Sequence, residues 1–164
     1  MSLPVIPVYI SPIIGHRVWG WDAKEGVKSL HGDVWLPGRA IAAECILNYN
    51  HECPADDCSC GVYAAKIYEH LAKIGHQRMG PFLHGEVCLW GRVVEHEFGY
   101  RAQFAYPQTF VLPSNIDLGS RLSCLESLIV YGVDVLTSTN TSLWKRGLGY
   151  TRAGLVSHWI GLPC

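Results

Sequence analysis

The chain has no surplus of positive charge. Thirteen Lys and Arg stand against fourteen Asp and Glu, for a formal net charge of −1. Proteins held on nucleic acid by neutralising phosphates need a basic excess, so non-specific nucleic-acid binding is not expected. Charge of either sign is sparse, at 16% of residues, while hydrophobic residues reach 49%, a balance that excludes a disordered chain. No apolar run is long enough to span a bilayer, so no membrane partner is expected. The apolar opening stretch is broken by Pro4 and Pro7 and has no basic leader. No export signal is read there, and a cytoplasmic location is expected. The sequence also lacks a phosphate-binding loop, a dinucleotide fingerprint and a serine-nucleophile motif.

What is present suits one globular domain over residues 1–164, long enough for a substantial core. Six Trp and eight Tyr provide large amphipathic surfaces. Residues 5–10, 17–21, 27–30 and 34–36 read as short strands separated by proline and glycine turns. Residues 40–48 fit a buried strand or a short helix, and strand is expected from the strand-and-turn character of the region before them. A helix is expected from Val62 to Ile74, with Tyr63, Ile67, Leu71 and Ile74 on one face and Gly75 at its end. Residues 85–97 and 100–112 form a hairpin turning at Phe98-Gly99, and Gly91 marks a bulge. Asp117 caps a second helix with Leu118, Leu122, Leu125 and Ile129 on one face. The expected fold is α+β: a single domain, a short-stranded curved sheet or pseudobarrel with about two amphipathic helices.

The chemistry concentrates in residues 51–64, His-Glu-Cys-Pro-Ala-Asp-Asp-Cys-Ser-Cys-Gly-Val-Tyr-Ala. The chain has seven cysteines, an odd number, so thiols or metal ligands are expected here rather than a disulfide framework. Thiolate and imidazole are the donors zinc prefers, and a structural site takes four of them in a tetrahedron. His51, Cys58 and Cys60 supply three. His96 is the fourth candidate, with Cys53 as its alternative. A second reading makes Cys58 or Cys60 a reactive thiol at the helix start, with His51 or His96 as base and Asp56 and Asp57 opposing the thiolate. A third has the cysteines simply packing.

The pattern His51-x2-Pro54-x3-Cys58-x-Cys60-Gly61-Val62-Tyr63-Ala64 resembles a motif of an uncharacterised bacterial, largely actinobacterial, protein family. The later Leu89-Trp-Gly-x-Val-Val-Glu-His96, Gly99-Tyr-Arg-Ala102 and the upstream Gly32-x-Val-Trp-x-Pro-Gly38 are similar to segments of the same family. The resemblance covers about residues 32–107 and implies no activity. Cys53 stands where that motif carries a small residue.

On the hairpin, Trp90, Arg92 and Arg101 share a face too mixed to be a plain solvent face. With Tyr100 they are the candidate ligand-binding residues, for a small molecule or nucleotide. Arg92 and Arg101 are otherwise expected to pair with Glu86, Glu95 or Glu97 across the hairpin. Two functions are therefore carried forward. One is a non-enzymatic binding module with a Cys/His zinc site. The other is a cysteine- or metal-dependent enzyme centred on the same residues. A protein partner is compatible with either.

Overall fold

The computed structural model describes residues 11–47, 50–75, 82–113, 116–138 and 150–152. The expected strand at 5–10 and the segment 76–81 after the first expected helix lie outside these residues.

The fold is built on four strands that close on themselves. β1 (Ile13–Asp22) pairs antiparallel with β5 (Phe82–Glu95), from Ile13↔Leu89 to Gly20↔Phe82. The other half of β5 pairs with β6 (Gly99–Pro107), and β6 pairs with β4 (Val62–Ala65). β4 returns to β1 through His16↔Ala65 and closes the barrel. His16 thus pairs with Ala65 on one side and Glu86 on the other. Closure removes the free edges that open sheets must protect.

β5 can belong to both halves because it is long and bends. Its register against β6 shifts between Trp90 and Val93. Gly91, at φ +75°, forms the bulge, and a Cβ there would meet the Gln103 side chain at 2.6 Å. Hairpin, turn and bulge match the sequence expectation. The second arm departs from it by breaking at Gln108 into β6 and β7 (Thr109–Leu112).

The remaining strands extend this frame. β2 (Gly26–Lys28) pairs with β1, and β3 (Ile41–Ala42) pairs with β6. β7 pairs parallel with β8 (Asp134–Ser138), which pairs with β9 (Tyr150–Arg152). Parallel neighbours need a crossover, and the helix α2 (Leu118–Ile129) supplies it. The Asp117 side chain accepts from Ser120 N at 2.9 Å and caps α2 as expected.

The core holds Trp19, Trp35 and Phe110, packed edge to face around Trp19, with Leu83, Val87, Leu89 and Leu128. Trp21 ties β1 to α2 by donating from Nε1 to Ser127 Oγ at 2.7 Å.

Three local expectations are corrected. Residues 62–65 are strand, with Val62 and Ala64 buried and Tyr63 exposed, and the helix α1 begins only at Tyr68 (Tyr68–Gly75). Pairing with the edge of β6 gives this β-prone stretch a ladder that a helix would forgo. Of residues 40–48, only 41–42 form strand. On α2 the buried side chains are Cys124 and Leu128, while Leu118, Leu122 and Ile129 are exposed. The α+β class stands, as a β-rich single domain of described strands with two helices. No described helix is long and apolar enough to cross a membrane.

Candidate metal centre

The site grows from the connection between β3 and β4. Both strands pair with β6 at positions two residues apart, Ala42 opposite Phe104 and Val62 opposite Ala102. Residues 43–61 therefore leave and rejoin the barrel at nearly one place. A connection this long in a small domain is unusual and commonly functional. Its first turn is pinned where Ala43 N donates to Gln103 O at 2.8 Å. Cys45 lies just beyond that pin, and Cys60 lies two residues before β4.

The connection folds back so that Cys45, His51, Cys58 and Cys60 converge. One donor atom from each lies within 4.8 Å of all the others. Cys45 Sγ is 3.6 Å from Cys58 Sγ, and His51 Nε2 is 3.3 Å from Cys60 Sγ. Four donors on a tetrahedral zinc ion would have sulfurs about 3.8 Å apart and nitrogen slightly closer, given Zn–S near 2.3 Å and Zn–N near 2.0 Å. The donor set and its spacing fit a metal ion. Cys45 is buried, and the other three are partly exposed.

Arg101 on β6 organises the connection from below. It is 4% exposed, and its Nη1 donates to the main-chain carbonyls of Ala55, Cys58 and Cys60, the last at 2.9 Å. Its Nε donates to His96 Nε2 at 2.8 Å. No carboxylate pairs with this guanidinium among the described residues. A buried cation needs a compensating charge. Three thiolates and one imidazole around a divalent ion would carry a net −1 and would supply it.

Gly61 is what lets the chain lie this close. It sits at φ +131°, and a Cβ would come within 2.9 Å of Arg101 Cβ and 3.2 Å of Pro54 Cβ. The Cys53–Pro54 bond beside it is cis.

The thiols are tuned by their neighbours. Burial disfavours the Cys60 thiolate, but hydrogen bonds from the Ala55 backbone, Cys53, His51 and Cys58 outweigh it and hold the pKa down at about 6. Burial, with the neighbouring sulfurs, pushes Cys53 up to about 12. Five of the described cysteines, including all those in this connection, carry no disulfide, while Cys88 on β5 is disulfide-bonded.

Of the residues expected from sequence, the structure brings His51, Cys58 and Cys60 together and adds Cys45. His96 is turned to Arg101 instead. Cys53 is buried and lies outside the group of four. Cys45 was legible as a thiol six residues before His51. Reading 40–48 as one buried strand assigned it to packing.

The expected ligand face does not converge. Arg101 is committed to the connection. Arg92 is exposed and pairs with Asp56 at 3.1 Å, not with a hairpin glutamate. Trp90 stacks on Phe104 with ring centroids 6.1 Å apart, and Tyr100 lies under Lys66 Nζ at 5.7 Å. An open hollow of about 430 Å³ instead lies beside the Cys/His group, bordered by Asp57, Cys58, Tyr63, His96 and Arg101.

Comparison with protein-family models, with curated proteins and with solved structures finds no match to this chain.

Proposed function

We propose that this chain is a non-enzymatic binding domain in which Cys45, His51, Cys58 and Cys60 hold one structural zinc ion. The observation that carries the reading is the convergence of four soft or borderline donors from one connection. A three-sulfur, one-nitrogen tetrahedron is a common closed zinc set. With four protein donors no coordination position is left for water or substrate, which favours a structural over a catalytic ion. The ion would tie the two ends of residues 43–61 together above β6. Apparent binding free energies for such sites reach about 10–16 kcal/mol at neutral pH, enough to decide whether the connection is ordered at all.

The ligand of the module is a small molecule or nucleotide, and the hollow beside Tyr63 and His96 is where it would sit. The hollow is open rather than enclosed, and a bound ligand would meet the Asp57, Tyr63 and His96 side chains at its border. The zinc then serves as a scaffold that fixes one wall of the hollow.

Elemental analysis with native mass spectrometry of the purified protein tests the metal reading. One zinc per chain is expected, with loss of fixed structure in residues 43–61 on chelation. A folded protein that carries no metal and takes none up would end it.

A further inference from the structure

The helical spacing of Leu118, Leu122, Leu125 and Ile129 puts them on one face of α2, and the structure turns that face away from the core. Leu118, Leu122 and Ile129 are 71%, 53% and 46% exposed, and Leu125 is half-buried. Cys124 and Leu128, which anchor the helix on the core, lie about a third of a turn away. A single exposed leucine needs no explanation, but a continuous apolar stripe along a whole helix marks a contact surface.

The stripe has the spacing of a coiled-coil seam. With Leu122 and Ile129 at the a positions of a heptad, Leu118 and Leu125 fall at d, and Ile at a with Leu at d favours two strands. The charged residues of α2 are Arg121 and Glu126. Arg121 falls at g and Glu126 at e, one on each border of the stripe. In a parallel pair of helices, the g residue of one chain lies beside the e residue five positions further along the other. Glu126 stands five positions after Arg121. Arg121 of one copy therefore meets Glu126 of the other, and a twofold axis repeats the contact. An antiparallel pair would set Arg121 against Arg121 and Glu126 against Glu126.

We propose that α2 is the face on which two copies of this chain pair, with their α2 helices parallel about a twofold axis. The apolar seam supplies the attraction, and the two Arg121–Glu126 pairs select orientation and partner. So short a helix would not pair as a free peptide, but the barrel already holds it formed, so association orders little new chain. An anionic membrane suits the stripe less well, because α2 carries one arginine and no lysine on its polar side. The interface is small, so the pair dissociates on dilution. In dilute protein Leu122 then behaves as an exposed position.

Sedimentation equilibrium of the full chain, in a dilution series from micromolar to millimolar, tests the pairing. The wild type is expected to pass from monomer to dimer. Leu122→Glu is expected to stay monomeric with an unchanged far-UV circular dichroism spectrum. Arg121→Glu and Glu126→Arg each set like charges together twice, and each is expected to weaken the dimer by about tenfold or more. An equimolar mixture of these two variants is expected to regain wild-type affinity as a heterodimer, and the double variant as a homodimer. A wild type that stays monomeric overturns the proposal and leaves the stripe to an unlike partner. A dimer that survives Leu122→Glu overturns it by placing the contact elsewhere. Single charge variants that associate as tightly as the wild type, or that are not rescued in combination, overturn it as well. Should Leu122→Glu alter the fold, the charge variants alone decide.

Discussion

Arg101 Nη1 donates to the main-chain carbonyl of Cys60 across 2.9 Å, joining the middle of β6 to the last cysteine of the 43–61 connection. The same nitrogen reaches the carbonyls of Cys58 and Ala55. The connection is thus seated on a buried cation, which shapes the site without touching its centre. Arg101→Ala leaves these carbonyls without their charged donor. Charged hydrogen bonds of this kind are worth about 1.5–3 kcal/mol each, and outer-shell partners change metal affinity by about 10–100-fold. Denaturant unfolding is expected to show a loss of about 3 kcal/mol or more, and a competing chelator to show weaker zinc binding. Arg101→Lys, which keeps the charge but not the planar fork, is expected to recover only part of either. Wild-type zinc affinity in Arg101→Ala would remove the arginine from this role.

Gly61 gives a second handle on the same seat. Its φ of +131° is a region that residues with a Cβ rarely adopt, and the added methyl would press on Arg101 and Pro54. Gly61→Ala is expected to cost about 2 kcal/mol or more by the usual scale of backbone strain and steric overlap. Thermal unfolding of the zinc-loaded protein measures it, and an unchanged midpoint would contradict the close approach.

Stability is expected to fall on acidification for a reason separate from the metal. His84 on β5 is held at about 4 rather than 6.5, first by burial and second by the nearby His16. Between those values the unfolded chain binds a proton that the folded chain refuses, so folding stability rises with pH across this window. The contribution is complete above 6.5, is lost progressively as pH falls to about 4, and is flat below. A shift of this size corresponds to about 3 kcal/mol. Chemical denaturation from pH 7 to 4 is expected to give a shallower slope for His84→Gln than for the wild type. Parallel slopes would assign the acid sensitivity elsewhere.

The helix α2 separates exposed from buried leucines. Leu128 is 0% exposed and Leu122 is 53% exposed. Truncation of a buried leucine costs about 2–5 kcal/mol, and truncation at an exposed position about 0.5 kcal/mol or less. Leu128→Ala is expected to lower stability several times more than Leu122→Ala. Equal effects would place Leu122 in the core.

The parts of the fold legible in the sequence were those fixed by local chemistry. The Asp117 cap, the turn after His96 and the bulge at Gly91 each depend on a few adjacent residues, and each was read correctly. The barrel closure at His16 depends on strands more than forty residues apart, and no local pattern carries it. Val62 to Ala65 was misread because Tyr63, Ile67 and Leu71 have helical spacing, while pairing with β6 decides the outcome. On α2 Leu118, Leu122, Leu125 and Ile129 form a helical stripe, yet the barrel packs against Cys124 and Leu128. The Cys/His group is partly legible for the same reasons. His51, Cys58 and Cys60 stand in one short motif. Cys45 joins them only because β3 and β4 share an edge of β6, a relationship set by the topology.

Zinc content of Cys45→Ser measured beside His96→Ala tests the central claim most directly. The account predicts that Cys45→Ser loses zinc or binds it more than about 100-fold more weakly, beyond the range of outer-shell effects. His96→Ala, which removes only an acceptor of Arg101, is expected to keep one zinc per chain. Full zinc retention in Cys45→Ser, with loss in His96→Ala, would contradict the assignment and make His96 the fourth ligand.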